Sequence, residues 1–225
     1  LGGIDALVRL TLDQVRTDER RGLKTGMFVS GYRGSPVGML DAALIKQQKL
    51  LLEHNIQFVD GLNEDLAATA VWGTQMMHTV GKQKFDGVTG MWYGKAPGVD
   101  RSGDALKHAN YTGIGKNGGV LAVVGDDPSC KSSSLASQSE PMLFHVGMPS
   151  LYPGNVQEIL DLGLHGYNMS RLSGLWVGMK IVTNVADGTG TANIDPSRLN
   201  FVTPDLMFDG QKFTPNMNLG MNVRV

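Results

Sequence analysis

The sequence alternates between short apolar runs rich in β-branched residues and longer stretches with helical periodicity, and glycine separates most of them. The apolar runs predict strands at 26–30, 56–59, 87–92, 119–124 and 175–183. Between these runs, apolar residues recur at the i, i+3, i+4 spacing of amphipathic helices. Strands that alternate with helices of this length predict an α/β fold with a mostly parallel sheet and helices on both faces.

The helical stretches carry recognisable start signals. They predict helices at 5–21, 35–54, 64–78, 104–111 and 156–167. Ser35 and Pro36 are the residue types that favour an N-cap and a first helical position, and Asn63 is the expected cap of the next helix. The glycine-rich segment 94–103 is expected to be a loop.

Periodicity is lost from residue 186 onwards, where Gly, Asn, Pro and Asp dominate. We therefore predict an α/β domain over 1–185 and an irregular linker or tail over 186–225. Because the sequence opens on Leu1, we also expect a segment of a longer protein. Its 30 glycines in 225 residues are about twice the usual share and indicate tight turns and close backbone approaches.

Charge and cysteine content narrow the function classes. The net charge is −1, which argues against a nucleic-acid partner or binding to an anionic membrane surface. A single cysteine, Cys130, excludes an intrachain disulfide framework and any site built from cysteines alone. No apolar run reaches the ~18 residues of a membrane span, and the five histidines are too scattered to predict a metal site. A reducing, cytoplasmic setting is expected.

The loops that follow the predicted strands are the places to look for function, because ligands bind at the carboxyl ends of parallel strands. In the first, Arg33 and Ser35 offer a guanidinium and a hydroxyl beside free N–H groups at a helix start, which suits an anion such as a carboxylate. The simpler alternative is that Ser35 only caps the helix and Arg33 is a surface charge.

The second candidate is Glu64, in the first turn of its predicted helix. A carboxylate at this position stabilises a helix through the helix dipole, and Asp65 could do the same. Glu64 nevertheless shares a helix face with Ala67, Ala68 and Val71, whose small side chains leave room for another body. A buried carboxylate there would suit acid–base chemistry.

The third candidate region comprises the polar segments 92–104 and 125–134. Surface turns have the same composition, and the sequence Asp-Asp-Pro-Ser at 126–129 is ordinary turn chemistry. The local density of basic residues, among them Lys95 and Lys131, is unusual in a chain with so few charges. These side chains could neutralise an acid or a phosphate.

Three segments in order, SGYRGSP at 30–36, NEDLAATAVWG at 63–73 and the run from GMWYGK at 90 to LKH at 108, closely resemble the N-terminal region of the fused indolepyruvate ferredoxin oxidoreductase family. The resemblance covers roughly residues 5 to 183. It implies the pyrimidine-binding domain of a 2-oxoacid:ferredoxin oxidoreductase, an enzyme that uses thiamine diphosphate. The reaction implied is oxidative decarboxylation of an aryl pyruvate such as indolepyruvate to an acyl-CoA, with electrons passed to ferredoxin.

The resemblance also implies residue roles. Glu64 matches the catalytic glutamate that hydrogen-bonds the aminopyrimidine ring and so helps to remove the thiazolium proton. Ser35 matches a hydroxyl that faces the substrate. The remaining assignments are substrate binding by Arg33 and Lys131 and cofactor binding by Tyr32, Gly34 and Asn63.

Parts of such an enzyme are missing from the sequence. The diphosphate-binding pattern and the cluster-binding cysteines are absent. We therefore expect half a cofactor site that is inactive alone, and we expect a homo-oligomer. Mg²⁺, the [4Fe-4S] clusters, the diphosphate-binding domain and the contacts to ferredoxin and coenzyme A are expected on other regions or chains. The alternatives are a non-catalytic interaction or dimerisation module of the same fold, and an unrelated α/β domain that binds an anionic metabolite.

Overall fold

The computed structural model describes residues 1–213 and is organised around a six-stranded sheet. The strands are β1 (Thr25–Gly31), β2 (Ile56–Phe58), β3 (Gly87–Lys95), β4 (Val120–Asp126), β5 (Ser150–Leu151) and β6 (Val177–Val182). Their order across the sheet is β2-β1-β3-β4-β6-β5, and every pairing is parallel. The predicted α/β fold is confirmed.

Helices cover both faces of the sheet. They are α1 (Gly3–Arg20), α2 (Leu40–Lys46), α3 (Gln48–Glu53), α4 (Glu64–Gln75), α5 (Ala96–Arg101), α6 (Gly103–Thr112), α7 (Glu140–His145), α8 (Val156–Ser173) and α9 (Thr183–Ala186), with 3₁₀ turns at Met77–Thr79 and Pro196–Arg198. Helices α1, α2, α3 and α8 pack on one face, and α4 to α7 pack on the other.

The double coverage explains the apolar runs in the sequence. Strand β4 is buried along its whole length: Leu121 and Val123 point into the core under α1 and α8, whereas Ala122 and Val124 point into the core under α4 to α7. A parallel strand buried on both faces needs continuous apolar residues rather than alternation. This is why these strands could be predicted from short apolar runs.

The strand order places a topological switch point beside β1. From β1 the chain passes to β2 on one side and then returns to β3 on the other. The register pairs Gly31 with Tyr93 and Lys95 with Gly125, so the carboxyl ends of β1, β3 and β4 lie at one edge. In open parallel sheets this edge is where ligands bind.

The prediction that Ser35 caps the helix after β1 is wrong. The helix begins at Leu40 with Met39 as its N-cap, and residues 35–39 form turns. Tertiary packing is the reason, because Val37 is fully buried and this segment lies against the end of β4. A Cβ added at Gly125 would lie 2.9 Å from Pro36 Cδ and 3.0 Å from Val37 Cγ2.

The predicted loop at 94–103 is also wrong. Strand β3 continues to Lys95, and α5 and α6 follow it almost without interruption. The glycines in this segment are used for close packing, as described below for Gly98, and Val99 is fully buried. Helix α7 and the two-residue strand β5 had no clear sequence signal and were not predicted.

The predicted tail is largely irregular up to residue 205, apart from the 3₁₀ turn already named. A two-stranded antiparallel hairpin follows, formed by β7 (Leu206–Phe208) and β8 (Gln211–Phe213). The start of this region packs on the N-terminus, where the Leu1 ammonium donates to the Gly190 carbonyl at 3.0 Å. Residues 214–225 of the predicted tail lie outside the described residues, and the division at 185 stays a prediction. No helix within 1–213 is long and apolar enough to cross a membrane.

Candidate functional site

The first group of predicted residues lies at the start of α4. The Asn63 side chain accepts a hydrogen bond from the Leu66 N–H at 2.9 Å, so it caps this helix as predicted. Glu64 is the first helical residue and is half-buried. The Trp92 indole N–H donates to the Glu64 carbonyl oxygen at 3.1 Å, which ties this turn to β3.

The Glu64 side chain lies directly over two glycines. A Cβ added at Gly98 would come within 2.5 Å of Glu64 Cγ and 2.6 Å of its Oε1, and one at Gly94 would lie 3.5 Å from Cγ. Real Cβ atoms do not approach other atoms as closely as the first two distances. Gly98 is therefore required for Glu64 to occupy this corner, and the corner is formed jointly by α4, β3 and α5.

The structure separates Glu64 from Asp65, which could equally fill the helix-dipole role. Asp65 accepts from Arg101 Nε at 3.0 Å and is held in that ion pair. The Glu64 carboxylate has no hydrogen-bond or ion-pair partner within the described part of the chain. Glu64 is therefore available to a ligand, and Asp65 is not.

Large apolar side chains are exposed on either side of Glu64. Leu62, two residues before it, is 85% exposed, and Leu66, two residues after it, is 52% exposed. Val59 and Tyr32 at the same edge of the sheet are also exposed. Exposed apolar side chains near one another are typical of surfaces that a partner or a ligand covers.

The loop after β1 holds the second group. The Tyr32 N–H donates to the Tyr93 carbonyl at 3.1 Å, and a Cβ at Gly34 would lie 2.9 Å from Lys95 Cβ. Arg33 projects outward and lies 3.6 Å from Asp41 and 3.5 Å from Asp60, measured to a carboxylate oxygen of each. Much of the Arg33 charge is thus balanced within the chain.

The loops after β1 and β4 meet through two serines. The Ser132 hydroxyl donates to the Ser35 hydroxyl, and Lys95 Nζ donates to the Ser132 carbonyl at 3.4 Å. Lys131, the next residue, turns away and forms an ion pair with Asp187 at 2.7 Å. The hydrogen bond to Asp187 raises the Lys131 pKa. Ser132, which the sequence analysis did not single out, is therefore the member of this loop that contacts Ser35.

Asp127 organises this loop. Its buried carboxylate accepts from the backbone N–H groups of Lys131 at 2.9 Å and Ser132 at 2.8 Å, and from the hydroxyls of Ser133 at 2.7 Å and Thr183 at 3.2 Å. These hydrogen bonds, with that of the Ser132 N–H the largest cause, lower the Asp127 pKa to about 2. The sequence signal is an Asp at a strand end followed by consecutive serines, a composition that surface turns share.

A second buried polar group lies at the ends of β4 and β6. Asp126 accepts from the Ser139 N–H at 2.9 Å and lies 3.3 Å from Lys180 Nζ, while burial raises the Asp126 pKa. Lys180 also bonds to Glu140 and lies 4.7 Å from the centre of the Tyr152 ring. Lys180 had no sequence signal, because only the pairing of β4 with β6 brings it to Asp126.

Both predicted groups lie at the carboxyl edge of the sheet, on different sides of it. Glu64 is on the side of α4 to α7, whereas Ser35 and the loop held by Asp127 are on the side of α1, α2 and α8. No group of three or more His, Cys, Asp or Glu side chains is placed to hold a metal ion among residues 1–213.

No family model matches the sequence. Curated relatives include indolepyruvate oxidoreductase subunits IorA, three of which are compared below. Identity is 24% over 179 residues with the Methanothermobacter thermautotrophicus subunit and 24% over 197 residues with that of Methanothermobacter marburgensis, covering 78% and 87% of this chain. Identity with the Pyrococcus horikoshii subunit is 31% over 97 residues, 43% of this chain and 15% of that subunit. The chain spans only 26% and 30% of the two Methanothermobacter subunits.

Among solved structures, the fold matches a 2-oxoglutarate:ferredoxin oxidoreductase from Magnetococcus marinus with a TM-score of 0.61 and 16% sequence identity. The match covers 94% of this chain and 34% of that one, which was solved with 2-oxoglutarate, coenzyme A and succinyl-CoA bound. The chain is therefore similar in sequence to the indolepyruvate oxidoreductase subunits and in fold to a 2-oxoacid:ferredoxin oxidoreductase, and the resemblance indicated by its motifs is confirmed.

Proposed function

We propose that this chain is the pyrimidine-binding part of a thiamine-diphosphate-dependent 2-oxoacid:ferredoxin oxidoreductase. The observation that carries the proposal is the Glu64 carboxylate, which lies at the ligand-binding edge of the sheet without a partner among residues 1–213. The named relatives support the reaction class.

The residues at this corner fit the aminopyrimidine ring of the cofactor. A polar ring needs a hydrogen-bonding partner and a surface free of side chains, and Glu64 supplies the first beside Gly94 and Gly98, which supply the second. Asn63 contributes by capping α4, which fixes Glu64 in the first turn. Tyr32 and Gly34 would line the approach from the loop after β1.

When bound, thiamine diphosphate supplies the nucleophilic carbon that a 2-oxoacid decarboxylation requires. The task of Glu64 is to hold a proton at the carboxylate oxygen that faces the ring. Ser35 and Ser132 would orient the substrate by their hydroxyls. Arg33 and Lys131 would balance its negative charge, although each already faces an aspartate of this chain.

The rest of the active site lies on other regions or chains in this proposal. A diphosphate-binding domain with Mg²⁺, [4Fe-4S] clusters, and contacts to ferredoxin and coenzyme A would complete the enzyme in the cytoplasm. The exposed Leu62 and Leu66 support a covering domain or a second copy at this edge. The names of the relatives favour an aryl pyruvate such as indolepyruvate, and coenzyme A in the Magnetococcus marinus structure favours an acyl-CoA product.

The test is Glu64→Gln in the complete enzyme, with Asp65→Asn as the matched control. Loss of a general acid–base group costs about 10²- to 10⁴-fold in rate, so we expect a fall of that size in 2-oxoacid-dependent dye reduction for Glu64→Gln. Asp65→Asn removes a neighbouring carboxylate that is already paired and should keep about half or more of the activity, as surface ion pairs contribute little.

Near wild-type turnover in Glu64→Gln would contradict the proposal. It would favour the second candidate, a non-catalytic module that uses the same edge only for association. The specific observation behind that candidate is the exposure of Leu62, since an apolar interface needs no carboxylate.

A further inference from the structure

A cavity of about 130 Å³ lies between α1, α8 and residues 196–201. It is remote from Glu64, because Arg20 and Arg21 in its wall end α1 just before β1 begins at Thr25, whereas Glu64 lies at the opposite edge of the sheet, where β1 ends. Nothing in the proposed function uses this cavity.

Three arginines from two distant segments line the cavity: Arg20, Arg21 and Arg198. Arg20 donates to the Thr17 hydroxyl at 2.9 Å, and Arg21 donates to the Asn168 side-chain oxygen at 3.0 Å. Neither has a carboxylate partner among residues 1–213. In a chain with a net charge of −1, two uncompensated guanidinium groups at one cavity are a local excess of positive charge.

Arg198 is the buried member of the group. Its side chain is 9% exposed, and it donates from Nε to Asp161 at 2.9 Å and from Nη1 to the Asp195 carbonyl at 3.1 Å. The third nitrogen, Nη2, is enclosed and has no hydrogen-bond partner within the described residues. Burying a charged donor without a partner costs free energy, so an acceptor is expected beside it.

Asp13 in the same wall supplies the complementary group. Its Oδ1 accepts from Arg9 Nε at 2.8 Å, while its Oδ2 is enclosed and without a partner among 1–213. Because Arg198 and Asp13 both line the cavity, a ligand with acceptor oxygens and one hydroxyl or N–H donor suits its wall. A protonated phosphate has this combination, and so does a carboxylate beside a hydroxyl or amino group.

We propose that the cavity between α1, α8 and residues 196–201 binds a small oxyanion, the phosphate or carboxylate group of a metabolite, through Arg20, Arg21 and Arg198. Guanidinium groups suit this ligand because their planar N–H donors match the oxygens of phosphate and carboxylate. The site requires the 3₁₀ turn at Pro196–Arg198 to lie against α1 and α8, so the bound anion ties this segment to the domain.

The test adds inorganic phosphate to the complete protein. Binding is measured by titration calorimetry and by the change in Tm, both at a constant ionic strength set with chloride. Arg20→Ala/Arg21→Ala should weaken phosphate binding by about tenfold or more, since the charge-assisted hydrogen bonds of two guanidinium groups are lost. Arg16→Ala is the control: Arg16 lies on the same helix and contacts His54 rather than the cavity.

A parallel titration with lactate distinguishes the two sources of oxyanion, and saturable binding of either supports the site. If neither anion raises Tm above the chloride reference, the cavity does not bind oxyanions and the proposal fails. Equal weakening by Arg16→Ala would also overturn it, because the effect would then come from net charge alone. Neither measurement depends on enzyme activity, so a negative result would not contradict the proposed function.

Discussion

Glu64 and Asp127 are both carboxylates at the carboxyl edge of the same sheet, yet their surroundings are opposite. Asp127 is buried and accepts four hydrogen bonds from the loop after β4 and from Thr183. Glu64 is half-buried and accepts none within residues 1–213, although Gly94 and Gly98 leave space around it.

The contrast distinguishes a structural carboxylate from a functional candidate. A carboxylate whose oxygens are already occupied stabilises the loop that supplies the donors. One that is positioned by packing but left without donors is available to a ligand. Residue type and strand-end position are the same in the two cases, so only the donors around each carboxylate separate them.

The strongest test of the Glu64 corner is Gly98→Ala. The added Cβ would lie within 2.6 Å of two Glu64 side-chain atoms, so the side chain must move. Displacement of a catalytic group by about 1 Å can cost about 10²-fold in rate, and we expect a fall of that order in the turnover of the complete enzyme.

Gly73→Ala in α4 is the matched glycine control. A Cβ there meets no atom within 4 Å, and replacing an exposed helical glycine by alanine stabilises by about 0.5–1 kcal/mol. This variant should keep wild-type turnover with a slightly higher Tm. If Gly98→Ala behaved in the same way, the position of Glu64 would not matter to the reaction, and the contrast with Asp127 would lose its functional meaning.

Substituting each carboxylate by its amide should produce opposite patterns. Asp127→Asn places an NH₂ group opposite donors and removes a charge that four hydrogen bonds stabilise, so we expect Tm to fall by several degrees. Glu64→Gln should change the free energy of unfolding by no more than about 0.5 kcal/mol, because no partner is lost. Thermal denaturation of the two variants measures both changes in stability. A larger loss of Tm in Glu64→Gln than in Asp127→Asn would contradict the expected difference between the two carboxylates.

The smallest expected effect is an acid dependence that belongs to Asp127. Its pKa is lowered from 3.8 to about 2 in the folded protein. A group with a lowered folded pKa contributes stability that is complete above the unfolded pKa and is lost as the pH falls towards the folded value. Tm should therefore decline between about pH 4 and pH 2, and the decline should be shallower in Asp127→Asn. If Tm declined equally with pH in the wild-type protein and in Asp127→Asn, Asp127 would not be the group responsible for the acid dependence.

Much of the fold could be predicted because the signals were local. The central strands are buried on both faces and therefore appear as apolar runs, and the cap at Asn63 is a side chain bonding three residues ahead. Ser35 has equally good cap chemistry, but the packing of Val37 against β4 overrides it. The helix over Ala96–Arg101 was missed because its glycine, Gly98, is required by the close contact with Glu64 of α4 and not by local propensity.

The α/β class, the alternation of the central strands with helices, the family resemblance and the candidate Glu64 could all be predicted from patterns of residue type along the chain. Which candidates have partners depends on the folded structure. It paired Lys131 with Asp187, Arg33 with Asp41 and Asp60, and Ser35 with Ser132, and it left Glu64 over two glycines. Apart from the contact of Arg33 with Asp41, these hydrogen bonds and ion pairs join residues 27 to 97 positions apart in sequence, and no local pattern encodes such pairings.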